Sequence, residues 1–566
     1  MNPHGTGDAA GSGTNPSGTN PSGTNPSGTH RPDAGALSEA LLRRWSAAQT
    51  ERSGFQTVWQ EIADHLLGRR DFVGTATPGR KRMSRIYDST GLQAADTLAA
   101  ALHSLLTNPA GRWFSLRAEN RALADDAAVR DWLDRAQDVM YAAFAAPETN
   151  FAPQIHEVYL DEVAFGTAAL YIGDRPGQGL LFSARPLGEI TIAENAEGRV
   201  DTVFRKFRFS ARQADEVWGE AAGPAVRRAI AAGRPEQNFS FLHCVTPRRR
   251  QPVAPSPAAN LPVASYYLAL DDAPAGGGGP GGQGRLIAES GYHEMPYMVP
   301  RWSKDAGEVY GRAPGWNALA DQKMLNEMSK TVLKAAQKAV DPPLLVADDG
   351  VIMPLRTQPG GVNVVRAGAL THDPLRPLRN EARIDIGLEM MEQRRTAVRN
   401  AFHYGVLQLF QDPRMSATQV LQLVTEMQRL MGPMLGRQQS ELLEPMIERV
   451  FGILHRAGVF PPPPPALAGQ AIRIDYVSPI ARAQQSGEAQ AVLRTLEAAQ
   501  SFAMLDPVVA DNLDADAGLR AVAEATGAPA RLLRSEADVA GLRQARALTE
   551  LADSAAAALA DGGQAR

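Results

Sequence analysis

Cysteine is nearly absent from this sequence: Cys244 stands alone among 566 residues. One thiol cannot make an intramolecular disulfide or a cysteine-based zinc or iron–sulfur site, and it suits a reducing compartment. Charge of one sign is not in excess either. Lys and Arg number 58 against 62 Asp and Glu, a formal net charge of −4, which excludes a protein that coats nucleic acid by bulk positive charge. No apolar run reaches the ~18 residues of a membrane span. The start, Met1 to Gly5, has neither the basic nor the apolar part of a secretion signal. A soluble, intracellularly made chain is expected.

Signatures of catalysis and metal binding are missing as well. No GxxxxGK(S/T), HExxH or GxSxG pattern occurs, so phosphate-cradling loops, zincin helices and nucleophile elbows are not expected. The run Gly276 to Gly284 opens no helix and reads as linker. Asn512, Asp514 and Asp516 begin like a calcium loop, but Ala517 and Ala523 stand where glycine and glutamate are needed. A helix cap or surface carboxylates is the better reading. The histidines do not cluster at metal spacing, and His103, His156 and His403 read as helix-face residues. No cofactor, no metal and no enzymatic activity are expected; a structural or binding role is.

What is present is ordinary globular material, 44% hydrophobic and 21% charged, enough for three to four domains at ~150 residues each. Residues 1–35, with G-T-N-P-S three times from Gly13 to Ser27, are predicted disordered. Apolar spacing predicts helix up to Gly68, a helix from Gly91 to Leu106, and another from Leu123 to Phe144 with Asp125 and Asp126 in its first turns. From Gly166 to His243 short antiparallel strands are predicted, followed by a hairpin of Tyr266–Leu270 and Arg285–Ile287 around the glycine run. Long helices are predicted at about 317–340, 381–403 and 416–458, with an extended segment at 342–379 between the first two. Pro461 to Pro465 form a stiff spacer, then come a small helical unit at about 470–546 and an Ala-rich tail. The fold class is α+β.

Several blocks then occur in a recognisable order. They are Ile86-Tyr-Asp-Ser-Thr-Gly91, Ala94-Ala95, Leu98 to Leu102, Leu106-Thr-Asn-Pro109 and Trp113-Phe114. Phe165 to Tyr171, Val309-Tyr-Gly-Arg-Ala-Pro-Gly315 and Ala339 to Leu344 follow, then Met415 to Val420, Leu430-Met-Gly-Pro433 and Asp475 to Arg482. This ordered set resembles the head-to-tail connector (portal) proteins of short-tailed phages over roughly residues 40–546. The resemblance implies a virion protein forming a dodecameric ring at one capsid vertex, beside major capsid and scaffolding proteins. Double-stranded DNA would pass through its channel; terminase would dock during packaging and tail or adaptor proteins afterwards. No membrane is implied. On this chain it implies a wing at 36–312, stem helices at 313–340 and 381–403, and a small β-containing clip at 341–380. A tunnel loop at 404–417, a wing return helix at 418–460 and a helical crown at 466–546 complete it. The repeat tail, the Gly276–Gly284 insert and the proline spacer depart from the family pattern. A scaffolding or minor capsid protein without a channel is the alternative; a DNA-packaging enzyme is disfavoured by the missing phosphate loop.

Within that frame the residues suggest roles. Leu325, Met328, Val332, Ala336 and Ala339 share one helix face, and Lys323, Lys330, Lys334 and Lys338 the other, with stripe centres ~165° apart. In a ring, Lys330, Lys334 and Lys338 would form stacked girdles meeting phosphates as mobile point charges. A solvated outer face, or pairing with acids of a neighbour, is the competing reading. Arg383, Arg394, Arg395 and Arg399 flank an apolar stripe of Ile384, Leu388, Met391, Val398 and Phe402, which favours an intersubunit seam over DNA. Arg414 lies in a predicted loop and is a DNA candidate or a helix-cap contact. Val362 and Val364 belong to a strand-like run whose free edge invites pairing with a neighbour. Arg80-Lys-Arg82 with Arg85, and Arg248 to Arg250, read as solvated clusters; Trp113, Phe114 and Trp316 read as core aromatics.

Overall fold

The computed structural model describes residues 34–68, 72, 86–109, 111–120, 123, 126–175, 179–248, 260–272, 284–342, 344–346, 375–377, 384–405, 432–467, 469–476, 479–504, 508, 512–526, 533–534 and 536–562. In chain order the helices are α1 (Ala34–Ile62), α2 (Thr90–Leu106), α3 (Ala127–Ala145), α4 (Phe151–Phe165), α5 (Ala211–Trp218), α6 (Pro224–Ala231), α7 (Pro314–Val340), α8 (Ile384–Ala401), α9 (Glu444–Arg456), α10 (Pro479–Ala503), α11 (Ala515–Thr526) and α12 (Glu536–Gly562). The strands are β1 (Phe114–Ala118), β2 (Leu170–Arg175), β3 (Gly179–Ala184), β4 (Ile190–Glu194), β5 (Val200–Ser210), β6 (Asn238–Pro247), β7 (Val263–Ala269), β8 (Arg285–Tyr292), β9 (Tyr297–Met298), β10 (Leu344–Val346), β11 (Leu375–Pro377) and β12 (Ile472–Tyr476). The mixture of helix and sheet is the expected α+β class.

Alternation along the strands builds an antiparallel meander in the order β4-β5-β6-β7-β8. Phe204, Leu242, Cys244 and Leu268 point to the face covered by α1 through Leu41 and Ala48. Phe207, Phe239 and Phe241 point the other way and pack on Trp218 and Val226 of the α5–α6 pair, as a period of two requires. These two helices interrupt a stretch that the sequence predicts to be strands. Their start is a capping box: Ser210 Oγ accepts from Gln213 N at 3.3 Å, and Gln213 Oε1 accepts from Ser210 N at 3.0 Å.

A second, three-stranded sheet of order β3-β2-β9 sits against the main core. Helix α4, which no amphipathic period announces, is buried without a break from Val158 to Phe165, Asp161 and Glu162 included; a stretch buried on every side has no polar face to set a period. Helix α3 begins at Ala127. Asp126 lies just outside it as the cap, accepting from Ala128 N at 2.8 Å, because its carboxylate satisfies amides the first turn leaves open. Strand β12 pairs with β1 in antiparallel register, Phe114 opposite Tyr476 and Ala118 opposite Ile472. Segments some 350 residues apart in sequence thus share one ladder, and the residues beside the proline spacer are tied to the body. The helix leading into α9 passes through a π-turn at Gln439–Leu443.

β7 and β8 pair antiparallel, as the hairpin prediction has it; the tip at 273–283 lies outside the described residues. β10 and β11 also pair antiparallel, Leu345 opposite Arg376. Residues 1–33, Val362, Val364, Arg414 and Arg80 to Arg85 lie outside the described residues as well. Arg248 is not solvated: its guanidinium donates to Glu289 at 2.8 Å and to Ser290 O, since the edge of the sheet supplies both acceptors.

Candidate functional site

The two long helices α7 and α8 are the elements on which the sequence places most candidate residues. Pro314 starts α7 with φ already helical. Gly315 follows because a Cβ there would lie 2.2 Å from Ala164 O; the first turn of α7 crosses the end of α4 at backbone contact. Just before it, Gly311 N donates to Thr167 Oγ1 at 2.8 Å, and Trp316 Nε1 donates to Phe165 O at 2.8 Å. The blocks Phe165 to Tyr171 and Val309 to Gly315 are therefore two sides of one crossing.

A third block joins at the next turns. Asn326 Oδ1 accepts from Tyr87 N and Asp88 N at 3.0 and 3.1 Å, and Gln322 Nε2 donates to Asp88 O at 2.9 Å. The Asp88 carboxylate accepts from Thr90 N at 2.9 Å and Thr90 Oγ1 at 2.6 Å, and from Arg395 of α8 at 2.9 and 3.0 Å. Burial opposes its ionisation, but the bonds from Thr90 and the Arg395 guanidinium outweigh burial and hold the carboxyl below its usual range. Asp88 thus locks the start of α2 to both long helices. Its signal in the sequence is the Asp-Ser-Thr run, an acceptor two residues ahead of a helix start; nothing local marks Arg395 as its partner.

α7 and α8 run antiparallel, with Arg394 donating to Asp321 at 2.9 Å and Val332 against Gly387. Leu325 is fully buried; Met328, Val332 and Ala336 are half-buried, and Ala339 is exposed. Met391, Val398 and Phe402 of the α8 stripe are buried, whereas Leu388 is 52% exposed. Beyond Asn326 on α7 and before Met391 on α8 no residue is buried. Leu333, Val340, Ile386, Leu388 and Met390 accordingly expose large apolar side chains.

The lysine stripe divides. Lys323 donates to Glu61 of α1 at 2.9 Å. Lys330 donates to Glu327 at 3.1 Å and lies over the Tyr87 ring, 5.8 Å from its centroid. Lys334 and Lys338 are exposed and have no ion-pair partner among the described residues. Arg394, Arg395 and Arg399 each find an acid in the same chain, Arg399 through Glu392 at 3.0 Å.

One buried cation has no local sequence signal at all. Arg301, 0% exposed, donates from N and Nε to Glu441 Oε2 at 3.0 and 3.1 Å and from its terminal nitrogens to Glu441 Oε1, Glu194, Val309 O and Gly198 O. It fastens the π-turn to the sheet region. Elsewhere Asp514 accepts from Asp516 N and Ala517 N, a helix cap. His103 Nδ1 lies 3.0 Å from Thr107 Oγ1, and His156 lies 3.7 Å from Asp96. Among the described residues no group of three or more His, Cys, Asp or Glu could hold a metal, and no helix is long and apolar enough to cross a membrane.

This arrangement holds and positions long helices; around Asp88 and Arg301 its charged groups are spent on one another. A family model described as bacteriophage head to tail connecting protein matches residues 38–533. The chain is 30% identical over 533 residues to the probable portal protein of Bordetella phage BPP-1, covering 92% of this chain and 93% of that one. It is 27% identical over 518 residues to the portal protein of Salmonella phage epsilon15, covering 90% and 91%.

Proposed function

The chain belongs to the bacteriophage head to tail connecting protein family, and from that premise we propose that copies of it close into a ring, a dodecamer, whose channel passes double-stranded DNA. As a portal protein it is a structural connector of the virion, with capsid and tail partners. In the proposed ring α7 and α8 are the stem, β10 and β11 belong to the clip, and the tunnel loop is assigned to residues 404–417, of which 406–417 lie outside the described residues. The wing is assigned to 36–312 with its return segment at 418–460, of which 418–431 lie outside the described residues, and the crown to 466–546. Terminase docks first, tail or adaptor proteins afterwards, and assembly takes place in the host cytoplasm.

The observation that carries the reading is the outer half of the α7–α8 pair. Leu333, Val340, Ile386, Leu388 and Met390 are exposed there on a single chain, while Lys334 and Lys338 have no acid to answer among the described residues. A neighbouring copy that covers the apolar side chains removes surface worth ~25 cal/mol per Å². The lysines then remain for phosphates, as mobile hydrated charges that slide rather than clamp. Arg394, Arg395 and Arg399, already balanced by Asp321, Asp88 and Glu392, serve the seam by fixing the face that α8 presents. Negative-stain images of the purified protein test the ring: hollow rings of uniform subunit number are expected, and solid or monomeric particles under assembly conditions would favour a scaffolding or minor capsid role.

A further inference from the structure

Helix α4 takes two carboxyl groups into the interior, Asp161 at 2% and Glu162 at 0% exposure. Gln438, also 0% exposed, is the residue before the π-turn. Its Nε2 donates to Glu162 Oε1. The remaining oxygen of each group, Glu162 Oε2 and Gln438 Oε1, is buried with no hydrogen-bond partner among the described residues. Two acceptors cannot bond each other, and an orphaned buried oxygen is costly. A proton shared between them would satisfy both.

We propose that Glu162 carries a proton in the folded protein and closes a cyclic acid–amide pair with Gln438, a proton-dependent latch between α4 and the helix that enters the π-turn. In this pair Glu162 Oε2–H donates to Gln438 Oε1 while Gln438 Nε2 donates to Glu162 Oε1. The planar carboxyl and carboxamide groups match as donor and acceptor on both sides.

Among the described residues the charged groups around Glu162 are already engaged with one another. From the π-turn comes Glu441, itself an anion, gripped by Arg301 and by Arg437 at 3.0 Å. All five guanidinium donors of Arg301 are used, on Glu441 twice, Glu194, Val309 O and Gly198 O. Lys304 is bound to Glu194. On α4 itself stand Asp161 and the Tyr159 phenol, the latter directed to Thr107. Burial first, and then the charge of Glu441, push the Glu162 carboxyl well above its ordinary range, against the opposing bond from Gln438. The latch is therefore complete at low pH and is lost as pH rises through the raised folded-state value, the direction for an acid whose folded pKa is raised.

Infrared spectroscopy of the full-length protein near neutral pH tests the proton directly. A protonated-carboxyl C=O band that disappears in Glu162→Gln is expected. That variant keeps both bonds through its own carboxamide, so it should fold and, at pH below the ordinary carboxyl range, melt with the wild type. As pH rises above that range and through the folded-state value, the wild type progressively loses melting temperature and the variant should hold. Glu162→Leu strands the Gln438 amide and should melt lower at every pH. Absence of a band removable by Glu162→Gln, as an ionised Glu162 bridged by water would give, overturns the proposal. So does an alkaline fall in Glu162→Gln that parallels the wild type.

Discussion

Replacing Asp88 by Ala removes the acceptor that joins the start of α2 to α8. The loss can be worked from the contacts. The bond from Thr90 N at 2.9 Å satisfies an amide of the first turn of α2, worth ~1 kcal/mol. The bonds from Arg395 at 2.9 and 3.0 Å are charge-assisted, worth ~1.5–3 kcal/mol when one end is buried. The lower end applies, because Arg395 is 28% exposed and keeps Glu392 at 3.1 Å. Asp88→Ala should therefore cost about 2–3 kcal/mol, and Arg395→Ala somewhat less because Thr90 still serves the carboxylate. The double variant should fall short of additivity by about 1 kcal/mol, as contacting pairs do. Urea unfolding followed by tryptophan fluorescence is the assay. Trp59 and Trp316 both donate to Phe165 O, close to the junction, and the midpoint of their transition is read at constant slope. The acid side adds a second reading. Since the folded carboxyl titrates below its usual range, its contribution is present above the ordinary ~3.9 of aspartate and fades as pH falls through the folded value. Asp88→Asn should lack that fade. Single losses that add within ~0.5 kcal/mol would refute the claim that Asp88 and Arg395 hold the two helices as one junction.

Lys334→Gln with Lys338→Gln should leave rings intact and alter packaging rate or DNA retention in vitro, with an effect that shrinks at high salt. Lys330→Gln should do less, because Glu327 already answers that charge; a lowered ring melting point with normal packaging would instead make the stripe intersubunit. Gly315→Ala puts a Cβ 2.2 Å from Ala164 O and should destabilise by about 3 kcal/mol or more, seen as lost soluble yield or a lower melting temperature. Arg301→Ala leaves Glu194 to Lys304 alone and Glu441 to Arg437 alone, and strands Val309 O and Gly198 O, a loss of about 3 kcal/mol, measured by the same melt. Deleting residues 1–35, whose composition is mostly Gly, Thr, Asn, Pro and Ser, should leave ring assembly unchanged by negative stain.

Periodicity by itself determined the long helices here. Ala94, Ala95, Leu98, Leu102 and Leu106 write the buried face of α2 into the chain, and Pro314 and Pro342 bound α7. Alternation did the same for β5, β7 and β8, because each side chain's face follows from position alone. The absence of phosphate loops and metal spacing was equally local, and so was the ordered set of blocks that carried the family resemblance. Tertiary structure decided the rest. Asp88 and Arg395 are 307 residues apart, β1 and β12 about 350, and Arg301 meets Glu441 across 140; no window of sequence records which distant acid a given arginine will find. Helix α4 escaped because burial on every side erases the period that would reveal it. The lysine stripe shows the division most plainly. Its one-sided spacing is a property of the helix and was legible. Lys330 finds Glu327 three residues earlier on the same helix, but that Lys323 turns to Glu61 of α1 while Lys334 and Lys338 face no acid among the described residues depends on which turns of α7 lie against the body, and packing settles that only once the whole chain has folded.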